Sequence, residues 1–260
     1  MMAGSNFWQG RLKAAGIHFG ISLLIAALAA LLVFFVWYPY PYSKISGGRE
    51  LFFIVVAVDV IMGPLMTLAV FNLAKPRTEL IRDLAIISLL QLAALGYGLW
   101  TVSAARPVHL VYEIDRFRVV HAVDIPSQLM EKAAPEFRQL PLTGPTLLSV
   151  RDFKNNNESI EATMLALEGL QLGMRPDLWR DYGASKAQVL THARPLAELK
   201  KRFPQSVADI DAALQKASGT KARSLEAVAY VPMIGRDLFW TVLVDSNTTE
   251  VIAFVPIDSF

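Results

Sequence analysis

The sequence contains no cysteine, which excludes disulfides and thiolate metal sites and permits an oxidising compartment without indicating one. Charge is scarce too. Asp, Glu, Lys and Arg make up 18 % of the 260 residues against 53 % hydrophobic residues, and mean hydropathy is +0.38. A soluble domain carries about 25 % charged residues, so this chain is too apolar for that class, and the excess lies in its first 105 residues. The net charge of +2 singles out no partner. A nucleotide loop, a dinucleotide fingerprint, HExxH and a nucleophile elbow are all missing, and Gly183-Ala184-Ser185 lacks the second glycine of an elbow. The four histidines, His18, His109, His121 and His192, read as structural or surface groups, so no metal and no cofactor are expected. Glu158 with Glu161, and Asp209 with Asp211, stand at helix starts, where negative charge is favoured without any acid–base role. Lys200-Lys201-Arg202 is too short a basic run to imply nucleic acid.

Three long apolar runs are present instead. Residues 51–73 organise the others. About 20 apolar residues cross the hydrocarbon core at ~1.5 Å each, and this run has fourteen Leu, Ile, Phe and Val residues around one acid, Asp59. A central Asp costs roughly 2.5–3.5 kcal/mol on an insertion scale, while each of those four residue types returns roughly 0.3–0.6. The run is therefore expected to insert. Asp59, Gly63 and Thr67 recur at spacing four, beside Met62 and Met66, and make one helical face of small, polar and pliable groups. Pro64 has no N–H, so the Val60 carbonyl is expected to lose its donor and the helix to kink. Two readings stay open: Asp59 hydrogen-bonded inside a bundle, or a docking or proton-sensitive site.

Residues 17–37 form the first span. Arg11 and Lys13 ahead of an apolar run with Ala27-Leu28-Ala29 raise a signal peptide, but cleavage there would leave ALLVFFVW at the new terminus, and an uncleaved anchor is expected. Gly16, Gly20, Ala26 and Ala30 permit close helix approach. Trp37-Tyr38-Pro39-Tyr40-Pro41-Tyr42 reads as an interfacial aromatic belt and helix stop. A loop over 74–83 leads to the third span, residues 84–104. Arg11, Lys13, Lys75, Arg77 and Arg82 on one side, against Lys44, Arg49 and Arg106 on the other, put residues 1–16 in the cytoplasm and 106–260 outside it. At ~1.5 Å per residue, Asp59 lies about 12 Å and Tyr97 about 10 Å below the outer boundary, so the Tyr97 hydroxyl is the expected partner of Asp59. Ser22, Thr67, Ser88 and Gln91 fall in a second layer nearer the inner boundary. Polar groups at such depths need partners.

Residues 106–260 read as an α+β domain with an antiparallel sheet. Segments 108–114 and 117–123 alternate and form a hairpin around Asp115-Arg116, with Glu113 facing Arg118 and with His109 and His121 on opposite faces. Residues 124–158 are Pro-rich, with a strand at 146–150. Helices follow at 158–172, through Ile160, Met164, Leu167 and Leu170; at 185–203, broken at Pro195; and from Ser206 to an end at Gly219. Strands return at 227–233, 237–244 and 250–256.

Phe34-Phe35-Val36-Trp37-Tyr38-Pro39, Val58-Asp59-Val60-Ile61-Met62-Gly63-Pro64-Leu65, Leu89-Leu90-Gln91-Leu92-Ala93-Ala94 and, just past the third span, Ala105-Arg106-Pro107-Val108 leading to Asp115-Arg116-Phe117 occur in this order. With these motifs, over roughly residues 15–125, the chain resembles the TfpX/TfpZ-type family of type IV pilin accessory proteins of the bacterial inner membrane. A weaker likeness returns at Leu243-Val244-Asp245 and Phe254-Val255-Pro256-Ile257-Asp258, while residues about 126–225 match no motif. The resemblance implies help in assembling or displaying a particular pilin, without known catalytic residues. Its implied partners are the pilin, the pilus assembly machinery and the lipid bilayer. The candidate residues are Asp59, Gly63, Pro64, Thr67, Gln91 and Tyr97 within the spans, and Arg106, Pro107, Asp115 and Arg116 beside them. The function expected is a non-enzymatic accessory that holds the pilin's apolar helix while a periplasmic domain touches its head. The alternative is a membrane enzyme acting on a lipid-linked substrate through Asp59. A sensor would need a cytoplasmic output module, and the inner side offers only a short flank and one loop.

Overall fold

The computed structural model describes residues 3–218 and 227–260, in two compact units: one built from residues up to Ser43 with Gly47–Ala105, the other from Lys44–Ser46 with Arg106–Phe260. In the first, α1 (Ala3–Leu31) runs into a π turn at Leu32–Trp37. After the short α2 (Tyr42–Ile45), α3 (Gly48–Ala57), a π turn at Val58–Met62 and α4 (Gly63–Val70) make one continuous rod. The third rod, α5 (Arg77–Ala104), begins straight after Pro76, so the connecting loop is shorter than the expected 74–83. Trp8–Trp37, Gly48–Val70 and Arg77–Ala104 are each long and apolar enough to cross a membrane.

Aromatic packing ties these rods together. Ala29, Val33, Tyr38, Phe52 and Val102 form a buried cluster, with the Phe34 and Phe52 rings edge-on at 5.0 Å. Tyr38, read above as part of a belt, is instead fully buried, and its hydroxyl donates to the Val102 carbonyl at 3.0 Å. That carbonyl lies in the last turn of α5, where no intrahelical donor is available. Gly98 lets α3 approach, since a Cβ there would stand 2.6 Å from a Val55 methyl. Gly16 and Gly20 meet nothing within 4 Å.

The second unit is built on an eight-stranded sheet: β1 (Pro107–Glu113), β2 (Arg116–His121), β3 (Thr146–Val150), β4 (Trp179–Asp181), β5 (Arg194–Pro195), β6 (Val228–Ile234), β7 (Phe239–Asp245) and β8 (Val251–Val255). Its order is β4-β3-β1-β2-β6-β7-β8, with β5 paired to β6. The sheet is mixed, which corrects the antiparallel expectation: β1–β3 and β2–β6 are parallel. Parallel neighbours need a crossover of a dozen or more residues. The Pro-rich stretch holding α6 (Ser127–Met130) supplies the first, and the helical middle supplies the second. Strand alternation alone carries no trace of that choice.

The β1–β2 hairpin pairs Glu113 with Arg116, so its turn is Ile114-Asp115 rather than Asp115-Arg116. Ile114 adopts a left-handed φ of 55°, an uncommon conformation for a β-branched residue. From His109 to Glu113 the register differs from the expected one by two residues, which leaves those side chains on their faces, and an irregularity between Pro107 and His109 then sets Pro107 opposite His121. Glu113 and Arg118 still meet, as a diagonal pair at 2.6 Å. Helices α7 (Asn156–Leu167), α8 (Lys186–His192), α9 (Leu196–Arg202) and α10 (Val207–Ser218) fill the middle. Pro195 belongs to β5 and pairs with Ala229, so what was expected as one broken helix is two, with the two-residue strand between them. The expected helix end at Gly219 lies outside the described residues.

One core joins Leu196, Leu199 and Ile210 to Tyr230, Leu243 and Val255; another joins Val111, Val120 and Leu148 to Leu178 and Trp179. Ile45, from the connection between the first two rods, is buried in this unit, and its carbonyl accepts the Arg236 N–H at 3.3 Å. Gly235 has no Cβ because one would strike the Ile45 side chain.

Candidate functional site

Inside the first unit, polar groups from all three rods converge. Asp59 is 6 % exposed and lies in the π turn just before Pro64. A π turn sends each N–H to the carbonyl five residues back, and the residue five after Asp59 is Pro64, which has none. The Asp59 carbonyl thereby lacks its ladder donor. Gln91 of α5 replaces it: Nε2 donates to the Asp59 carbonyl at 3.0 Å and to its carboxylate Oδ1 at 3.1 Å. Gly63 makes room for this, because a Cβ there would collide with the Gln91 amide. The helix irregularity expected at Val60 is thus a π turn whose freed carbonyl belongs to Asp59.

The expected Asp59–Tyr97 pairing does not form. Tyr97 is 69 % exposed and packs against Trp100 with ring centroids 5.8 Å apart. Gln91, assigned above to a deeper layer, takes that place, because helix interlock and the π turn change the depth at which side chains meet. Thr67 is buried and its Oγ1 lies 2.6 Å from His18 Nδ1. His18, Ser22, Asp59, Ser88 and Gln91 border a cavity of about 210 Å³, into which apolar Ile25 and Leu92 also project. The Gln91 Oε1 is buried there without a hydrogen-bond partner among the described residues. Asp59 also borders an apolar groove of about 290 Å³, lined by Ile54, Val55, Val58, Tyr97 and Gly98. His18 was set aside by sequence reasoning. Its signal was its place four residues before Ser22, on one helical face.

Arg106, Pro107, Asp115 and Arg116 belong to the second unit. Arg106 donates to the Pro141 carbonyl at 3.1 Å, while its own carbonyl accepts from Ala122 at 2.9 Å. Pro107 opens β1 opposite His121. Asp115 and Arg116 pair at 2.7 Å, and the Arg116 guanidinium lies 5.0 Å over the Phe260 ring, so the hairpin motif and the chain's last residue meet.

The histidines of this domain have separate partners. His109 packs edge-on against Trp179 at 4.5 Å and lies 2.7 Å from Thr146 Oγ1; burial lowers its pKa to about 4. His121 lies 3.0 Å from Asp124. Burial works to raise the Asp124 pKa, but His121 and Arg236 outweigh it and hold the carboxyl below its ordinary value. Among the described residues no three His, Asp or Glu side chains are grouped to hold a metal.

Fold and site together define a membrane-associated protein, with three apolar helices enclosing a polar cluster and a mixed-sheet domain after them. The pattern of the fimbrial assembly protein FimB family matches residues 6–47. The chain is 41 % identical over 251 residues to a fimbrial assembly protein, serogroup I, of Dichelobacter nodosus, covering 95 % of both chains. It is 38 % identical over 250 residues to the serogroup E1 protein of that organism, again with 95 % of each covered. No solved structure matches. The chain belongs to the family of fimbrial assembly proteins.

Proposed function

We propose that this chain is an inner-membrane accessory of type IV pilin assembly, of the TfpX/TfpZ kind. Residues 1–16 lie in the cytoplasm, the rods 17–37, 51–73 and 84–104 span the bilayer, and 106–260 fold in the periplasm. In this reading the pilin's apolar helix lies in the groove beside Asp59, against Ile54, Val58 and Tyr97, while Gly63, Pro64 and Thr67 shape the buried side of the same rod. The observation that carries it is the pairing of a buried carboxylate, held by Gln91, with an open apolar groove beside it. A visiting helix gains packing along the groove, and a donor on it gains an acceptor in Asp59. The family's role in fimbrial assembly supplies the process.

Photo-crosslinkers placed at Val58, Ile61 and Leu65 in pilin-producing cells test this. Pilin adducts are expected, reduced in Asp59→Asn. Absence of pilin from every position along 51–73 would refute it, and a C-terminal reporter active in the cytosol would refute the topology. Chemistry on a lipid-linked substrate has less support: His18, which borders the same cavity, lies against Thr67 rather than Asp59.

A further inference from the structure

We infer that the outer face of α7 is a docking surface for a partner protein whose own apolar surface is rimmed by Lys or Arg. Ile160, Met164 and Leu167 recur at spacings of four and three, so they share one face of the helix. A stripe of that kind ordinarily points into a core. Here it points away: the three side chains are 61 %, 59 % and 81 % exposed, while Ala162 is the buried residue of α7. Leaving a large apolar side chain in water forgoes about 1.5–3 kcal/mol of burial, and the inward face offers only Ala162 with half-buried Leu165 and Ala166, so a second force must help to place the helix.

That force is polar and sits at its first turn. Asn155 Oδ1 accepts the Glu158 N–H at 3.0 Å, and Arg151 grips both Glu158 oxygens at 3.0 and 2.7 Å. The Lys154 N–H adds a third bond to Glu158 at 2.6 Å. The helix is pinned at one end and presents its apolar stripe outwards.

Charge selects the occupant. The α7 sequence, NNESIEATMLAL, contains neither Lys nor Arg. Glu161 and Glu168, seven residues apart, stand exposed along one flank of the stripe. A helix that lies on a bilayer carries Lys and Arg beside its apolar face, which is the reverse of this pattern. A second copy would bring the same acidic row and no α7 base to meet it. A protein surface with an apolar centre and a basic edge answers both features, with opposite charges fixing its register. This goes beyond the intramembrane role and does not require the partner to be pilin.

The test places a photo-crosslinking residue at Leu167 of the full-length chain in cells, with Leu142, 75 % exposed elsewhere on the domain, as control. One protein adduct, identified by mass spectrometry, is expected from Leu167 and not from Leu142. It should fall at least fivefold with Glu161→Lys plus Glu168→Lys, while thermal unfolding of the detergent-purified protein stays unchanged. Should charge reversal disturb Arg175, 3.9 Å from Glu161, Glu161→Gln plus Glu168→Gln carries the same comparison. No adduct, an adduct with lipid or a second copy, or one insensitive to these charges would overturn the inference. Asp59→Asn keeps the two proposals apart: it should reduce capture from 51–73 and leave the Leu167 adduct intact.

Discussion

Replacing Gln91 with Leu removes the donor to both the carbonyl and the carboxylate of Asp59. Interhelical hydrogen bonds in membranes average about 0.6 kcal/mol and reach about 1.7, and a buried acceptor left without a donor costs about 1–3 kcal/mol. A loss of about 2 kcal/mol is expected. The carbonyl needs Gln91 only because Pro64 lacks an N–H, so Pro64→Ala should repair part of the damage. An alanine N–H at 64 serves Asp59 directly in the π register, and if the turn relaxes to α, the Gly63 N–H does so. In the Gln91→Leu background Pro64→Ala should restore about 1 kcal/mol, more than the 0.3–0.5 kcal/mol scatter of independent sites. Reversible unfolding by SDS in mixed micelles, run on the wild type, both single variants and the double variant, measures the coupling. Strict additivity would refute the account of the π turn.

Gly63→Ala should push the Gln91 amide away and cost about as much as Gln91→Leu, and it should become nearly silent once Gln91 is Ala; the same micelle titration reads both. Arg118→Ala leaves Glu113, 4 % exposed, with Gly173 N–H as its remaining partner; stability should drop by about 3–5 kcal/mol, as for a broken buried pair, seen as a lower midpoint in thermal denaturation. His109 titrates near 6.5 when unfolded and at about 4 when folded. The unfolded chain then binds more protons between those values, so this contribution is complete above pH 6.5 and is lost as pH falls towards 4. His109→Phe should flatten that limb of a plot of unfolding temperature against pH. Glu158, held at about 2 by Arg151 and the Lys154 N–H, stabilises above its unfolded value of about 4.3 and stops doing so as pH falls from there to 2. Glu158→Gln should remove that lower limb, and a pH series of thermal melts checks it.

The three rods were legible because hydropathy and length are local properties, and Asp59 stood out as the one acid in its run. Its partner was not. Axial rise per residue put Tyr97 level with Asp59, but a π turn adds a residue to one turn and rotates everything after it, which no spacing rule anticipates. The Glu113–Arg118 pair came through because a register slip of two keeps the faces. The parallel pairings stayed hidden because direction is set by the crossovers, whose Pro-rich and helical stretches show no strand alternation. The stripe of α7 was visible as helical, but periodicity says which residues share a face, not whether that face looks in or out.

Ile45 carries a consequence for how the protein can be handled and made. The plug that fills the space beside Gly235 is synthesised some sixty residues ahead of the domain it completes. A fragment beginning at Arg106 would therefore emerge with a hole in it, short of roughly the 1.5–3 kcal/mol that burying an isoleucine provides. Grafting the 44–46 tripeptide back through a linker should mend it. On the ribosome the same arrangement makes the last-made lobe wait for an early piece to be within reach, so its maturation depends on a segment made between the first two rods.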